Sequence, residues 1–433
     1  MTQAQAPELS DMAQALCGAL VLLVPLAGAG LALMNAGLGR SRSAAHAMLS
    51  SISVIAVAML VYFVCGWSWQ SFPGRPAHAF TLAGKSWSWL GAEPFFFRGL
   101  PLDGSRAALA AWLQMFSVAL AALIPLGAGS ERWRLGASCA STVLLAGWTY
   151  PLFAHWVWGG GWLAQLGVNQ AWGYGLLDAG GAGAIQAVGG LTALSIAWIL
   201  GPRHGKYDAE GMPAAFPGHN AVLVLFGCFL TWLGWIGLNG AGSLLFTSAT
   251  AAGVTRVAVN TTLSAAAGVL AVAAVTRMRF GRPDASLCAN GWTAGLVAGS
   301  AACAWVDPAQ AVIIGAIAGV LVVFSVEWLD ARWRVDDPSG SISVHAGGGL
   351  WGLLALAIFA RIPGGYQWLA QLAGVLTLIA FVLPMTYSLN WLLNRFYPQR
   401  IAADGEPHGL DLYELGAGAY PEFVTRREDF RPR

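Results

Sequence analysis

The chain has 433 residues, of which 57% are hydrophobic and only 10% charged, and its mean hydropathy is +0.60. A soluble domain carries about 25% charged residues, so this composition excludes a soluble enzyme or regulator and defines a polytopic α-helical membrane protein. The net charge of +2 arises from basic residues scattered between apolar runs, which offers no surface for nucleic acid.

Residues 1–12 hold no Lys or Arg, so the first apolar run, 16–38, reads as a retained span rather than a cleaved signal peptide. Eleven spans are predicted: 14–38, 47–68, 107–129, 135–158, 180–201, 220–240, 252–276, 286–305, 309–330, 343–361 and 369–394. Each is long enough to cross about 30 Å of hydrocarbon, and none has the short alternation of a membrane β-barrel. The connectors are charged or turn-rich: Arg40 and Arg42, then 131–134, 202–217, 277–283 and 330–338. One long loop, 69–106, carries Trp69, Trp87, Trp89 and Phe95 to Phe97, which suits an interfacial cap on the outer face. With the N-terminus outside, seventeen of the 23 Lys and Arg fall inside, among them Arg426, Arg427, Arg431 and Arg433. That bias sets the N-terminus out and the C-terminus in. Residues 1–394 thus form the membrane domain, and 395–433 form a polar cytoplasmic tail.

An eight-residue step occurs twice. Asp178 precedes Gln186, followed by Ala-Val-Gly-Gly-Leu, and Asp337 precedes His345, followed by Ala-Gly-Gly-Gly-Leu. Each copy opens the fifth span of one half, about 14–201 and 220–361. Five spans is an odd number, so the halves run in opposite directions. The expected fold class is all-α: eleven transmembrane helices, two inverted five-helix repeats and one extra helix, 369–394.

Few residues carry chemistry. The six cysteines show neither zinc nor disulfide spacing and read as small buried hydrophobes. There is no P-loop, dinucleotide fingerprint, HExxH, nucleophile–base pair or metal cluster, so neither an enzyme nor a cofactor is expected. His345 is the histidine placed deep in a span; it is either a neutral ring bonded to a carbonyl or a functional group in a lumen. Its repeat mate Gln186 favours the lumen. Trp158, at the outer end of the fourth span, is either an interfacial tryptophan or a ring offered to a cation. Asp178 is either a helix cap or an anion near the outer mouth.

Several segments together resemble the ammonium transporter (Amt/Mep/Rh) family, on its Amt/Mep side. They are Gly-Leu-Ala-Leu-Met-Asn-Ala-Gly-Leu-Gly-Arg-Ser (30–41), Ser-Glu-Arg (130–132), His-Trp-Val-Trp-Gly-Gly-Gly (155–161) and Asp178 with its glycines. Gly-Trp-Ile-Gly-Leu-Asn (234–239), Asn260-Thr-Thr, Val335-Asp-Asp-Pro338, Val344-His345, Gly-Leu-Asp-Leu-Tyr (409–413) and Ala419-Tyr420 follow in the same order. The resemblance implies a lipid-embedded homotrimer with one pore per subunit. Ammonium would be captured at an outer aromatic vestibule and would lose a proton before a hydrophobic pore lined by two histidines. The first of those histidines falls on Gln186 and the second on His345. The two gate phenylalanines fall on Ser117, with Phe116 one residue earlier, and on Leu238. The vestibule serine falls on Gly242, with Ser243 next to it, while Trp158, Trp235 and the structural Asp178 are retained. A PII-type signalling protein is an implied partner of the tail, although Leu415-Gly-Ala417 stands where the family has His-Gly-Glu. Ammonium or ammonia transport in a bacterial inner membrane is therefore expected. The alternatives are a non-conducting ammonium sensor and a channel for another small amine.

Overall fold

The computed structural model describes residues 8–247, 249–363 and 365–423, so Arg426, Arg427, Arg431 and Arg433 lie outside the described residues. In hydrocarbon every backbone polar group needs an internal partner, and a helix supplies one within a single segment. Among the described residues nine helices are long and apolar enough to cross a membrane. They are Asp11–Leu38, Ser41–Gln70, Arg106–Gly129, Ala182–Leu200, Ala221–Phe246, Ala251–Phe280, Pro308–Arg332, Ile342–Phe359 and Gln367–Phe396. Two further rods, 135–157 and Ala285–Ala302, stand where the fourth and eighth spans were expected and are richer in small and polar residues. Helix starts follow local chemistry. Asn220 accepts from the Leu223 amide at 3.0 Å and Asp284 from the Leu287 amide at 2.8 Å, each satisfying an orphan donor of the first turn. Outward faces show Ile52, Leu60, Phe229, Leu270, Phe324 and Ile379, an apolar coat suited to lipid.

Glycine sets how closely the central helices cross. A Cβ on Gly30 would stand 2.5 Å from the Gly227 carbonyl, and one on Gly227 would stand 2.7 Å from the Gly30 carbonyl. The 11–38 and 221–246 helices therefore meet backbone to backbone. The 182–200 and 342–359 helices do the same: a Cβ on Gly190 would lie 2.2 Å from the Ala346 amide, and one on Gly349 would lie 2.9 Å from the Ala187 amide. These two contacts are reciprocal in the repeat, because Gly190 and Gly349 each follow Gln186 or His345 by four residues.

The 221–246 helix outruns its expected end at 240. Beyond that point Gly240 packs on Leu20 and Gly242 on the Ala179 carbonyl, close approaches that glycine permits within the continuing helix. The 69–106 loop also departs from expectation and qualifies the all-α reading. Strands Ala77–Leu82 (β1) and Lys85–Gly91 (β2) form an antiparallel hairpin, turned by Ala83 and Gly84, both at positive φ. Trp156 donates its indole N–H to the Trp89 carbonyl (2.8 Å), and Ser88 meets His155 Nε2 at 2.9 Å. His155 Nδ1 donates to the Gln70 carbonyl at 2.7 Å, so this buried histidine pins the hairpin to the bundle.

The opposite end of the bundle gathers charge. Arg203 bonds Glu131 at 2.7 Å and Asp336 at 2.9 and 3.0 Å, and Arg40 pairs with Glu131. Arg132, fully buried, donates to the carbonyls of Gly201 and Asp336, both at 2.7 Å. Burial opposes ionisation of Asp336, but Arg132 and Arg203 outweigh it and hold the carboxyl below its ordinary value. The tail is stitched to this end. Asp411 accepts from the amides of Ala45 (3.1 Å) and His46 (2.7 Å), and Glu414 meets His46 Nε2 and the Leu135 amide, each at 2.8 Å. One carboxylate therefore caps the helix starting at Ala44 and another the helix starting at Leu135.

Candidate permeation site

The repeated step is a folding device. Asp178 Oδ2 accepts from the Gly183 and Ala184 amides, both at 2.9 Å, and Gly181 follows at φ 84°. Asp337 Oδ2 accepts from the Ile342 amide at 2.7 Å, and Gly340 follows at φ 70°. In each copy the aspartate bonds the amide five residues on, across a left-handed glycine that an L side chain would strain. Each helix then opens in a wide turn; in the first copy the Gln186 amide reaches back to the Gly181 carbonyl at 3.0 Å. The result brings residues eight past each aspartate face to face.

His345 Nδ1 lies 2.7 Å from Gln186 Oε1, and both side chains are buried. An amide oxygen only accepts, so His345 carries its proton on Nδ1 and presents a lone pair on Nε2. Gln186 Nε2 has no partner in the protein. The pair thus offers an unused amide –NH₂, with two N–H donors, and one unused nitrogen acceptor.

On the hairpin side of this pair Trp158 donates to the Asp178 carbonyl at 2.8 Å. Its ring is stacked on Phe246, with centroids 4.7 Å apart and planes 13° apart, and only 2% of it is exposed. Phe246 is a site residue that the sequence reading missed. Its signal was the i, i+3, i+7 face it shares with Asn239 and Gly242, which becomes visible only if the helix continues past 240. Gly242 cannot accept a larger residue here, because a Cβ would lie 2.2 Å from the Ala179 carbonyl. The neighbouring Ser243 hydroxyl lies 3.8 Å from Cys303 Sγ. Trp235 donates to the Ser300 hydroxyl at 3.1 Å, and Ser300 in turn takes the Gly180 amide on its carbonyl at 3.0 Å, which ties the 178–181 turn to two helices.

The two positions expected to carry gate rings hold a serine and a leucine instead. Ser117 is buried and returns its hydroxyl to the Leu113 carbonyl at 3.0 Å. Leu238 is buried in the 221–246 helix. Phe116 lines an apolar hollow with Val24, Pro25, Ile55 and Met59 and tilts against Trp112. The one aromatic stack beside Asp178 among the described residues is Trp158 on Phe246.

A helical bundle with an apolar coat, a repeated capped turn and a buried polar pair between the two copies defines a multi-pass membrane protein. Residues 15–420 match the Ammonium Transporter Family, and the chain belongs to it. Ammonium transporter Amt2 of Archaeoglobus fulgidus is 37% identical over 431 residues, covering 94% of this chain and 87% of that protein. Ammonium transporter 3 of Dictyostelium discoideum is 30% identical over 414 residues, covering 90% of each. Among solved structures, a Sensor Amt Protein superposes with a TM-score of 0.83 at 26% identity, covering 93% of this chain and 98% of that one. Mep2 of Saccharomyces cerevisiae gives a TM-score of 0.77 at 26% identity, covering 92% and 88%. The family is one of transporters, not of enzymes.

Proposed function

We infer that this chain conducts ammonium nitrogen across a membrane, passing it as ammonia through each subunit. The observation that carries this reading is the Gln186–His345 contact at 2.7 Å in the middle of the bundle. Ammonia accepts one hydrogen bond and donates three, so it can take a free Gln186 N–H and give an N–H to His345 Nε2. A bare cation can do only the second, and stripping its water in so apolar a place costs several kcal/mol at least. Potassium and sodium are therefore refused by the same chemistry that admits ammonia. Capture of the cation falls to Trp158 and its partner Phe246, with Asp178 anchoring the indole through its backbone and Trp235 bracing the turn from behind. Ser117, Leu238, Gly242 and Ser243 line the approach.

The wider arrangement follows from the same reading. The rods 135–157 and 285–302 count as the fourth and eighth of eleven spans. The reciprocal glycine contacts support two inverted five-helix repeats with 367–396 as the extra helix. The basic connectors and the tail face the cytoplasm of a bacterial inner membrane, the assembly is a homotrimer in lipid, and the tail is where a PII-type protein would dock.

His345→Ala should reduce ammonium-evoked flux in proteoliposomes by more than about tenfold, the scale of one interaction lost at a dry site. Unchanged methylammonium uptake by that variant would remove the pair from the path. A sensor is the second reading, favoured by the covered Trp158 and by glutamine where the family has histidine. It predicts ammonium binding with no flux through the unaltered protein.

A further inference from the structure

Arg106 stands at an awkward place. It is the first residue of the helix Arg106–Gly129, and a helix N-terminus carries partial positive charge that favours an acid over a base. Its one hydrogen bond among the described residues runs from Nη1 to the Leu245 carbonyl at 3.4 Å, and its Nε is buried without a partner. Leu245 lies in the last turn of the 221–246 helix, whose carbonyls lack partners within the helix. A cation suits that negative end. Arg106 thus turns from an unfavourable end of its own helix to the favourable end of another. The contact is long and single, so its hold is weak. On its other side the guanidinium lines an outer cavity of about 420 Å³ with Glu8, Gln14, Asp103 and Ser105, which gives it room to withdraw.

Phe246 follows Leu245 and lies flat on Trp158, with centroids 4.7 Å apart and planes 13° apart. Both rings are buried. A cation binds an indole by standing against its face. Held between two rings it would set them about 7 Å apart, the sum of two van der Waals contacts of roughly 3.5 Å. The stack must therefore open before this face of Trp158 can take a cation. The covering ring sits on the final helical residue, where a helix end is softest.

A cover of this kind lowers apparent affinity in proportion to the fraction of time it is open. Once open, Phe246 can settle back over ammonium and offer a second ring face. A methyl group on the nitrogen holds the ring off and forfeits that contact.

We propose that Phe246 is a lid on the cation face of Trp158 that discriminates among amines, and that Arg106 is the positioning residue that holds it through the Leu245 carbonyl. The proposal rests on the reading of Trp158 as the capture site. The test titrates the full-length protein with ammonium chloride and with methylammonium chloride, with sodium chloride as the control. Two ratios are read, each methylammonium over ammonium: half-saturation of flux in proteoliposomes, and dissociation constant by calorimetry in detergent. A ratio of two ligands on one protein is unmoved by loss of folded material. Phe246→Ala should lower both ratios at least about threefold, the scale of one aromatic contact. Phe246→Tyr keeps the ring and should hold both near the parent values. Arg106→Gln should lower them about twofold, the scale of one charge at a helix end, and Arg106→Lys should restore them. Should Phe246→Ala fail to fold, Phe246→Leu carries the same expectation. Parent ratios in Phe246→Ala overturn the lid, as does a Phe246→Tyr protein as altered as Phe246→Ala. Parent ratios in Arg106→Gln overturn the part given to Arg106. A parent that binds both cations without flux refutes conduction instead, and the calorimetric ratio then still decides the lid. Unaltered binding by Trp158→Leu refutes the capture reading, and the lid falls with it.

Discussion

The two copies of the aspartate step share a backbone and differ in chemistry. Segments 178–190 and 337–349 repeat the aspartate, the left-handed glycine three residues later, the wide turn and the glycine at the helix crossing. They differ at two matched positions: Gln186 against His345, and Gly180 against Ser339. They differ also in anchoring, since Leu177 precedes Asp178 while Asp336, set in the arginine network, precedes Asp337. The backbone geometry is shared, and the side chains at these few positions give each copy its own polarity. Where the resemblance implies two facing histidines, this chain pairs one histidine with a glutamine.

The anchoring difference gives the largest expected effect. Asp336→Ala leaves Arg203 and Arg132 short of a buried counter-charge, and removal of one partner from such a network costs about 3–5 kcal/mol. Because the Asp336 carboxyl sits below its ordinary value, its stabilisation is complete above about pH 4 and is lost as pH falls through the depressed folded value. Thermal unfolding in detergent should therefore show an acid-side decline in the parent that is shallower in the variant. The caps come next. Asp178→Ala strands the Gly183 and Ala184 amides, whereas Asp337→Ala strands the Ile342 amide and frees the Ser341 hydroxyl. Each variant leaves two buried donors unpaired at about 1–3 kcal/mol apiece, but the Ser341 hydroxyl can rotate to another acceptor and an amide cannot, so the first should be the more damaging, and equal melting temperatures would contradict that ranking. Gly190→Ala and Gly349→Ala press a methyl onto backbone at matching points and should each cost about 1–3 kcal/mol. A large effect from one and none from the other would break the symmetry of the crossing. The smallest change, Gln186→His, restores a twin ring; it should alter the rate of ammonium-evoked current or its pH dependence, and an identical current–pH curve would place residue 186 off the path.

Most of this architecture was legible in the chain. Runs of about 20 apolar residues have few alternative fates, so nine of the predicted spans meet membrane-length apolar helices among the described residues, with ends that differ by up to six residues. The span expected to end at 240 continues to Phe246, with Gly240 and Gly242 packed closely on Leu20 and Ala179. The hairpin escaped notice because every residue of β1 is exposed and its sequence, Ala-His-Ala-Phe-Thr-Leu, lacks alternation. Gln186 and His345 announced themselves through the repeated spacing. Phe246 with Trp158 did not, because their meeting depends on two segments remote in the chain.

The hairpin tip has a practical use. Ala83 and Gly84 turn the chain with nothing packed against the glycine, and the strand before them carries no buried residue. A short epitope inserted there should leave the bundle untouched. Antibody staining of intact cells against permeabilised ones would then report which compartment that loop inhabits, and with it the sidedness of every helix below.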